Sequence, residues 1–87
     1  MNFLHYDLQL ASNEVVEVTL DKQANVLLLD DINFRLYVTG QRYTYFGGLA
    51  KTSQVRLRPP YAGHWHVVID LGGYAGTVSA SVRTIKA

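Results

Sequence analysis

Along most of the chain, hydrophobic and polar residues alternate with a period of two, the signature of strands with one buried face. Leu4, Tyr6, Leu8 and Leu10 alternate with Phe3, His5, Asp7 and Gln9, and Ser12-Asn13 offers a turn. In EVVEVTL, Val16, Val18 and Leu20 share one face, with Val15, Glu17 and Thr19 on the other. ANVLLLD is apolar on both faces, as a central strand covered on both sides would be. Asp30-Asp31-Ile32-Asn33 reads as a loop, because Asp and Asn side chains satisfy nearby backbone groups there. The aromatic segment FRLYV follows, then a turn over Thr39-Gly40-Gln41-Arg42.

YTYF is strand-like and Gly47-Gly48 ends it. Val55 and Leu57 alternate with Gln54, Arg56 and Arg58, and Pro59-Pro60 cannot continue a ladder because proline lacks the amide donor. HWHVVIDL puts Trp65, Val67, Ile69 and Leu71 on a core-facing row and His64, His66, Val68 and Asp70 on the opposite, wet face. TVSASVRTI places Val78, Ala80 and Val82 against Ser79, Ser81 and Arg83. No window makes a convincing helix. The reading is therefore a single all-β domain over residues 1–87. Its expected form is a compact antiparallel β-sandwich or barrel of about seven to eight short strands.

Composition narrows the functions. Eight Lys plus Arg against seven Asp plus Glu give a net charge of +1, a poor basis for phosphate-backbone binding, so no nucleic-acid partner is expected. The arginines at 35, 42, 56 and 58 carry what remains of that reading. The absence of cysteine excludes disulfides, thiolate catalysis and sulfur-ligated zinc, and fits a cytoplasmic protein. The amino-terminal MNFLHYDLQLASNE has neither the basic start nor the apolar run of a signal peptide. The strongly apolar run Val26–Leu29 is far short of the roughly 20 residues that cross a bilayer, so no membrane partner is expected.

Chemistry-bearing residues are few. His64 and His66 project side by side from one strand and can share a cation as in β-barrel metal enzymes, with a third ligand from elsewhere such as His5 or Asp7. Asp70 would stand about 13 Å from His66 along an extended strand, too far for the same shell. Strand spacing accounts for the histidine pair without a ligand, so no metal and no cofactor are assigned. Asp30, Asp31 and Asn33 lack the glycine and distal glutamate of a calcium loop. The glycines have no phosphate-loop frame, the serines no nucleophile elbow, and no catalytic residue is named.

Arg42, Tyr43, Tyr45 and Tyr74 are the candidate ligand- or partner-binding residues, since tyrosine and arginine combine contact area with a polar handle. The competing reading makes Tyr43 and Tyr45 one face of a strand. The expectation is a non-catalytic binding or protein-interaction module with an unknown protein or small-molecule partner. The alternative is a metal-dependent enzyme built on the His-x-His strand. An exposed strand edge also allows a homodimer.

NFLHYDL, VEVTL, ANVLLLDDINF, YTYFGG and above all GHWHVVIDLGGYAG resemble a bacterial family known as domain of unknown function eighteen eighty-three. The resemblance spans essentially the whole chain. It implies a small all-β bacterial module, sometimes joined to Toll/interleukin-receptor-like signalling domains, and it carries no catalytic residues over.

Overall fold

A computed structural model describes residues 3–87; Met1 and Asn2, included in the expected domain span and in the amino-terminal reading, lie outside the described residues. Seven strands and one helix follow in the order β1 (Leu4–Leu10), β2 (Glu14–Leu20), β3 (Ala24–Leu29), α1 (Asp31–Val38), β4 (Phe46–Ala50), β5 (Gln54–Leu57), β6 (Gly63–Asp70) and β7 (Ala80–Lys86). They form two antiparallel sheets, ordered β1-β6-β3-β4 and β5-β2-β7. The fold is an all-β sandwich.

The period-two rows meet between the sheets. Leu10, Val16, Val18, Leu20, Val26, Leu28, Trp65, Val67 and Ile69 are all buried there, and Leu4, Tyr6, Leu8 and Val82 pack against them. Burying one such aliphatic side chain is worth about 1.5–3 kcal/mol, which makes this row the main source of stability. Trp65 keeps its polar end satisfied by donating from Nε1 to the Tyr61 carbonyl at 3.0 Å.

The segment from Asp30 to Val38 departs from the sequence reading: it is a helix, not a loop followed by an aromatic stretch. Asp30 is its N-cap and accepts from the Asn33 amide at 2.8 Å. At the other end Gly40, at φ 75°, donates to the Tyr37 carbonyl and Gln41 donates to that of Leu36, a Schellman closure that needs a residue tolerant of the left-handed region. The helix lies on the outer face of the first sheet. There Leu27, Leu29, Val68 and Tyr37 form a second apolar cluster with Phe3, Phe34 and Tyr43 at its margin. Central strand β3 is thus covered on both faces, as its composition requires.

The same helix overturns the expectation that the second face of β6 is wet. His66, Val68 and Asp70 are buried; only His64, near the end of the strand, is exposed. YTYF does not form a strand that stops at Gly47-Gly48 either. Residues 41–45 are irregular, and β4 begins at Phe46 and runs through both glycines. Gly47 sits at φ 108°, and a Cβ there would collide with the Val26 carbonyl oxygen of the neighbouring strand. Here glycine permits the strand pairing instead of ending it.

Candidate metal centre

Three elements deliver one cluster of titratable side chains to the outer face of the first sheet. β1 pairs with β6 so that Asp7 lies opposite His66 and Gln9 opposite His64. His5 and Asp7 therefore share the face on which both β6 histidines project. β3 ends at Leu29, directly opposite His66. α1 begins two residues later, which carries Asp31 over the two imidazoles.

The distances make this a connected array. The Asp31 carboxylate oxygen Oδ1 lies 2.7 Å from His64 Nδ1 and 2.6 Å from His66 Nε2. One donor atom from each of Asp31, His64 and His66 falls within 4.8 Å of the others. The far nitrogens are occupied as well. His64 Nε2 meets the Asp7 carboxylate, and His66 Nδ1 lies 2.8 Å from His5 Nε2. Phe34 forms the roof: its ring stacks on that of His66 at 4.3 Å and on that of His5 at 4.1 Å. All three histidines of the chain are in this cluster.

The protonation equilibria follow the contacts. The Asp7 hydrogen bond, with Asp31 adding to it, holds His64 above the usual histidine range despite some desolvation. A hydrogen bond from His66 first, and His64 second, holds Asp31 below the usual carboxylate range. Burial and the neighbouring His66 lower His5, which favours a neutral ring able to donate or accept at Nε2.

Two imidazoles and a carboxylate are the donor set of zinc and of many iron sites. Tetrahedral zinc with bonds near 2.0–2.1 Å needs donors about 3.3 Å apart, so the hydrogen-bonded atoms must separate by roughly 0.7 Å while the two imidazole nitrogens, within 4.8 Å of each other, come to the same spacing. Asp31 is exposed and sits in the first turn of a helix, which leaves its side chain room to make that adjustment. The outer contacts also fit: histidines that bind metals usually engage a carboxylate or another acceptor through the second nitrogen. Asp7 and neutral His5 stand where such partners belong.

The sequence reading located the histidine pair but looked for the third ligand among His5 and Asp7. Those two instead contact the far nitrogens, and the residue that completes a group of three potential donors is Asp31. Its place became visible only with α1. Asp70 is outside the cluster, as the strand distance required. Its carboxylate accepts from Tyr37 at 2.6 Å, Asn25 at 2.8 Å and the Gly72 amide at 2.9 Å, and it anchors the helix to the sheet. Burial and Asp70 together push the Tyr37 hydroxyl far above its ordinary range.

Of the tyrosine and arginine candidates, Tyr43 and Tyr45 are brought into ring contact. Tyr43 is half-buried, with its ring 5.2 Å from Tyr37 and 5.7 Å from Tyr45. It belongs to the margin of the apolar cluster under α1. Burial raises its hydroxyl pKa. Arg42, Tyr45 and Tyr74 are exposed, and neither Arg42 nor Tyr74 has a ring contact among the described residues.

A family model matches residues 1–87, the whole chain, and carries the description "Domain of unknown function (DUF1883)". The chain belongs to that family. Comparison with curated proteins and with solved structures returned no match. Among the described residues, no helix is long and apolar enough to cross a membrane.

Proposed function

We propose that this member of DUF1883 is a non-catalytic binding module whose centre is one divalent transition-metal ion, held by Asp31 together with His64 and His66. A single observation carries the reading: three donors from β6 and α1 converge within 4.8 Å. The contacts of Asp7 and His5 to the far nitrogens support it, because histidines that bind metals usually engage a partner through the second nitrogen. The cysteine-free sequence supports a cytoplasmic setting.

One observation favours a second, catalytic reading. Three protein donors leave a coordination position open, as in hydrolytic zinc sites. The two readings differ in turnover, not in metal binding.

The test is a titration of the metal-stripped domain with zinc by calorimetry and with cobalt by visible absorption. One equivalent should bind, raise the thermal midpoint, and be lost in the double variant Asp31→Asn, His64→Gln. Absence of stoichiometric binding, or equal binding by the double variant, would overturn the metal reading. Hydrolysis of activated esters or phosphodiesters by the zinc form but not by that variant would replace the non-catalytic reading with the catalytic one.

A further inference from the structure

On helix α1, Asp31, Arg35 and Val38 stand at i, i+4 and i+7 and so share one flank. An Asp four residues before an Arg ordinarily pairs with it across one helical turn. Here Asp31 is turned toward His64 and His66 instead. Arg35 lines the same groove as Asp31 and His66 and has no ion-pair partner among the described residues.

The space between this flank and β6 is an open groove of about 330 Å³ lined by Asp31, Phe34, Arg35, Val38, Thr39 and His66. Two of the three metal donors are in that lining. The groove thus has a Lewis-acid position at one end, a guanidinium on its wall, and an apolar surface from Phe34 and Val38. Net charge at the centre points the same way. A divalent cation held by one carboxylate and two neutral imidazoles keeps one positive charge; the Asp7 carboxylate on the far side of His64 offsets it, and Arg35 leaves the groove side positive.

We propose that the metal-loaded domain binds a small oxyanion, a carboxylate or a phosphate, with one oxygen on the metal and the other oxygens on Arg35. The proposal rests on the metal reading given above. Guanidinium recognises both anions through paired N–H donors, so the shared chemistry is the oxyanion and the two sources are separated by experiment. Phe34 and Val38 favour an organic acid, whose hydrocarbon part they can cover.

Cobalt-loaded protein is titrated with inorganic phosphate and, separately, with benzoate. The cobalt absorption reports a change in coordination, and calorimetry reports affinity. The expected result is saturable binding of at least one probe that requires the metal and weakens tenfold or more in Arg35→Gln, the loss typical of one charge-assisted bond. Arg35 has an exposed side chain and donates nothing to the metal, so the anion-free cobalt spectrum of Arg35→Gln should match that of the native protein. Preference for benzoate assigns an organic acid; preference for phosphate assigns a phosphate group. Cobalt that loads normally while neither probe alters the spectrum would overturn the oxyanion site alone. So would binding of equal strength without metal, or in Arg35→Gln. Failure of cobalt to load would instead remove the metal reading and this proposal with it.

Discussion

Asp7 is the residue on which the metal reading can be tested without touching a ligand. Its carboxylate engages the Nε2 edge of His64 while the Nδ1 edge faces Asp31. On metal binding that contact fixes the ring and strengthens Nδ1 as a donor. Asp7→Asn keeps the shape and removes the charge. Zinc affinity, measured by competition with a chromophoric chelator, should fall about 10- to 100-fold. The thermal midpoint of the metal-free protein should hardly move, since Asp7 is exposed and outside the core. An unchanged affinity would mean that Asp7 plays no part in the centre. At this scale the sequence was half legible. Two histidines at i and i+2 on a strand announce a shared face, and they do share one. Nothing local announces that Asp31, more than thirty positions away, closes the set, because that proximity is made by the pairing of β3 with β6 and the direction in which the chain leaves β3.

Helix α1 is eight residues long, and elements that short are marginal without capping and packing. Asp30 caps it twice, accepting from the Asn33 amide at 2.8 Å and from the Asn33 side chain at 2.9 Å. Replacing Asp30 with Ala removes both contacts and should cost about 1 kcal/mol of stability, read from chemical denaturation. Because Asp31 is the first helical residue, the same variant should also weaken zinc binding several-fold. The expected loss of about 1 kcal/mol with zinc binding intact would show that the first turn does not position Asp31. The cap signals were present in the sequence as Asp30, Asn33 and Gly40, yet they read equally as turn residues. The intervening Phe34, Tyr37 and Val38 favour strands by propensity, and only the apolar outer face of β3 and β6 selects the helix. The strands themselves were legible because their rows of Leu and Val repeat without interruption. Strand β4 was misplaced because glycine is a poor strand former by propensity, and its use at Gly47 depends on the approach of Val26.

Across the whole molecule, the two sheets turn different outer faces to the surroundings. The first is covered by α1. The second has none of the seven-strand fold's helix on it, and its central strand carries Glu17, only 2% exposed, between Arg56 and Arg83 from the strands on either side. Arg83 Nε donates to one Glu17 oxygen at 2.6 Å and Arg56 Nε to the other at 3.0 Å. The alternation of β2 predicted a polar position at 17. Its burial could not be read there, since the two arginines that cover it come from β5 and β7. These contacts, led by the bond from Arg83, hold the Glu17 carboxyl below its ordinary value of 4.5. A carboxylate with a lowered folded-state pKa stabilises the native state at all pH values above the unfolded pKa. That contribution disappears as pH falls through the lower, folded value. Glu17→Gln should therefore unfold a few degrees below the native protein at pH 7, where two arginines lose their shared counter-charge. The gap should narrow once pH drops below 4.5 and close when the native carboxyl is itself protonated. Raising the salt concentration should shrink the gap only in part, since the arginine side chains are exposed but the carboxylate they share is not. Parallel melting curves for the two proteins from pH 7 to pH 2.5 provide the measurement. A gap that stays constant with pH would assign the effect of Glu17 to packing instead of charge, and the arginine pair would then be a surface feature that leaves the join between β5, β2 and β7 no stronger.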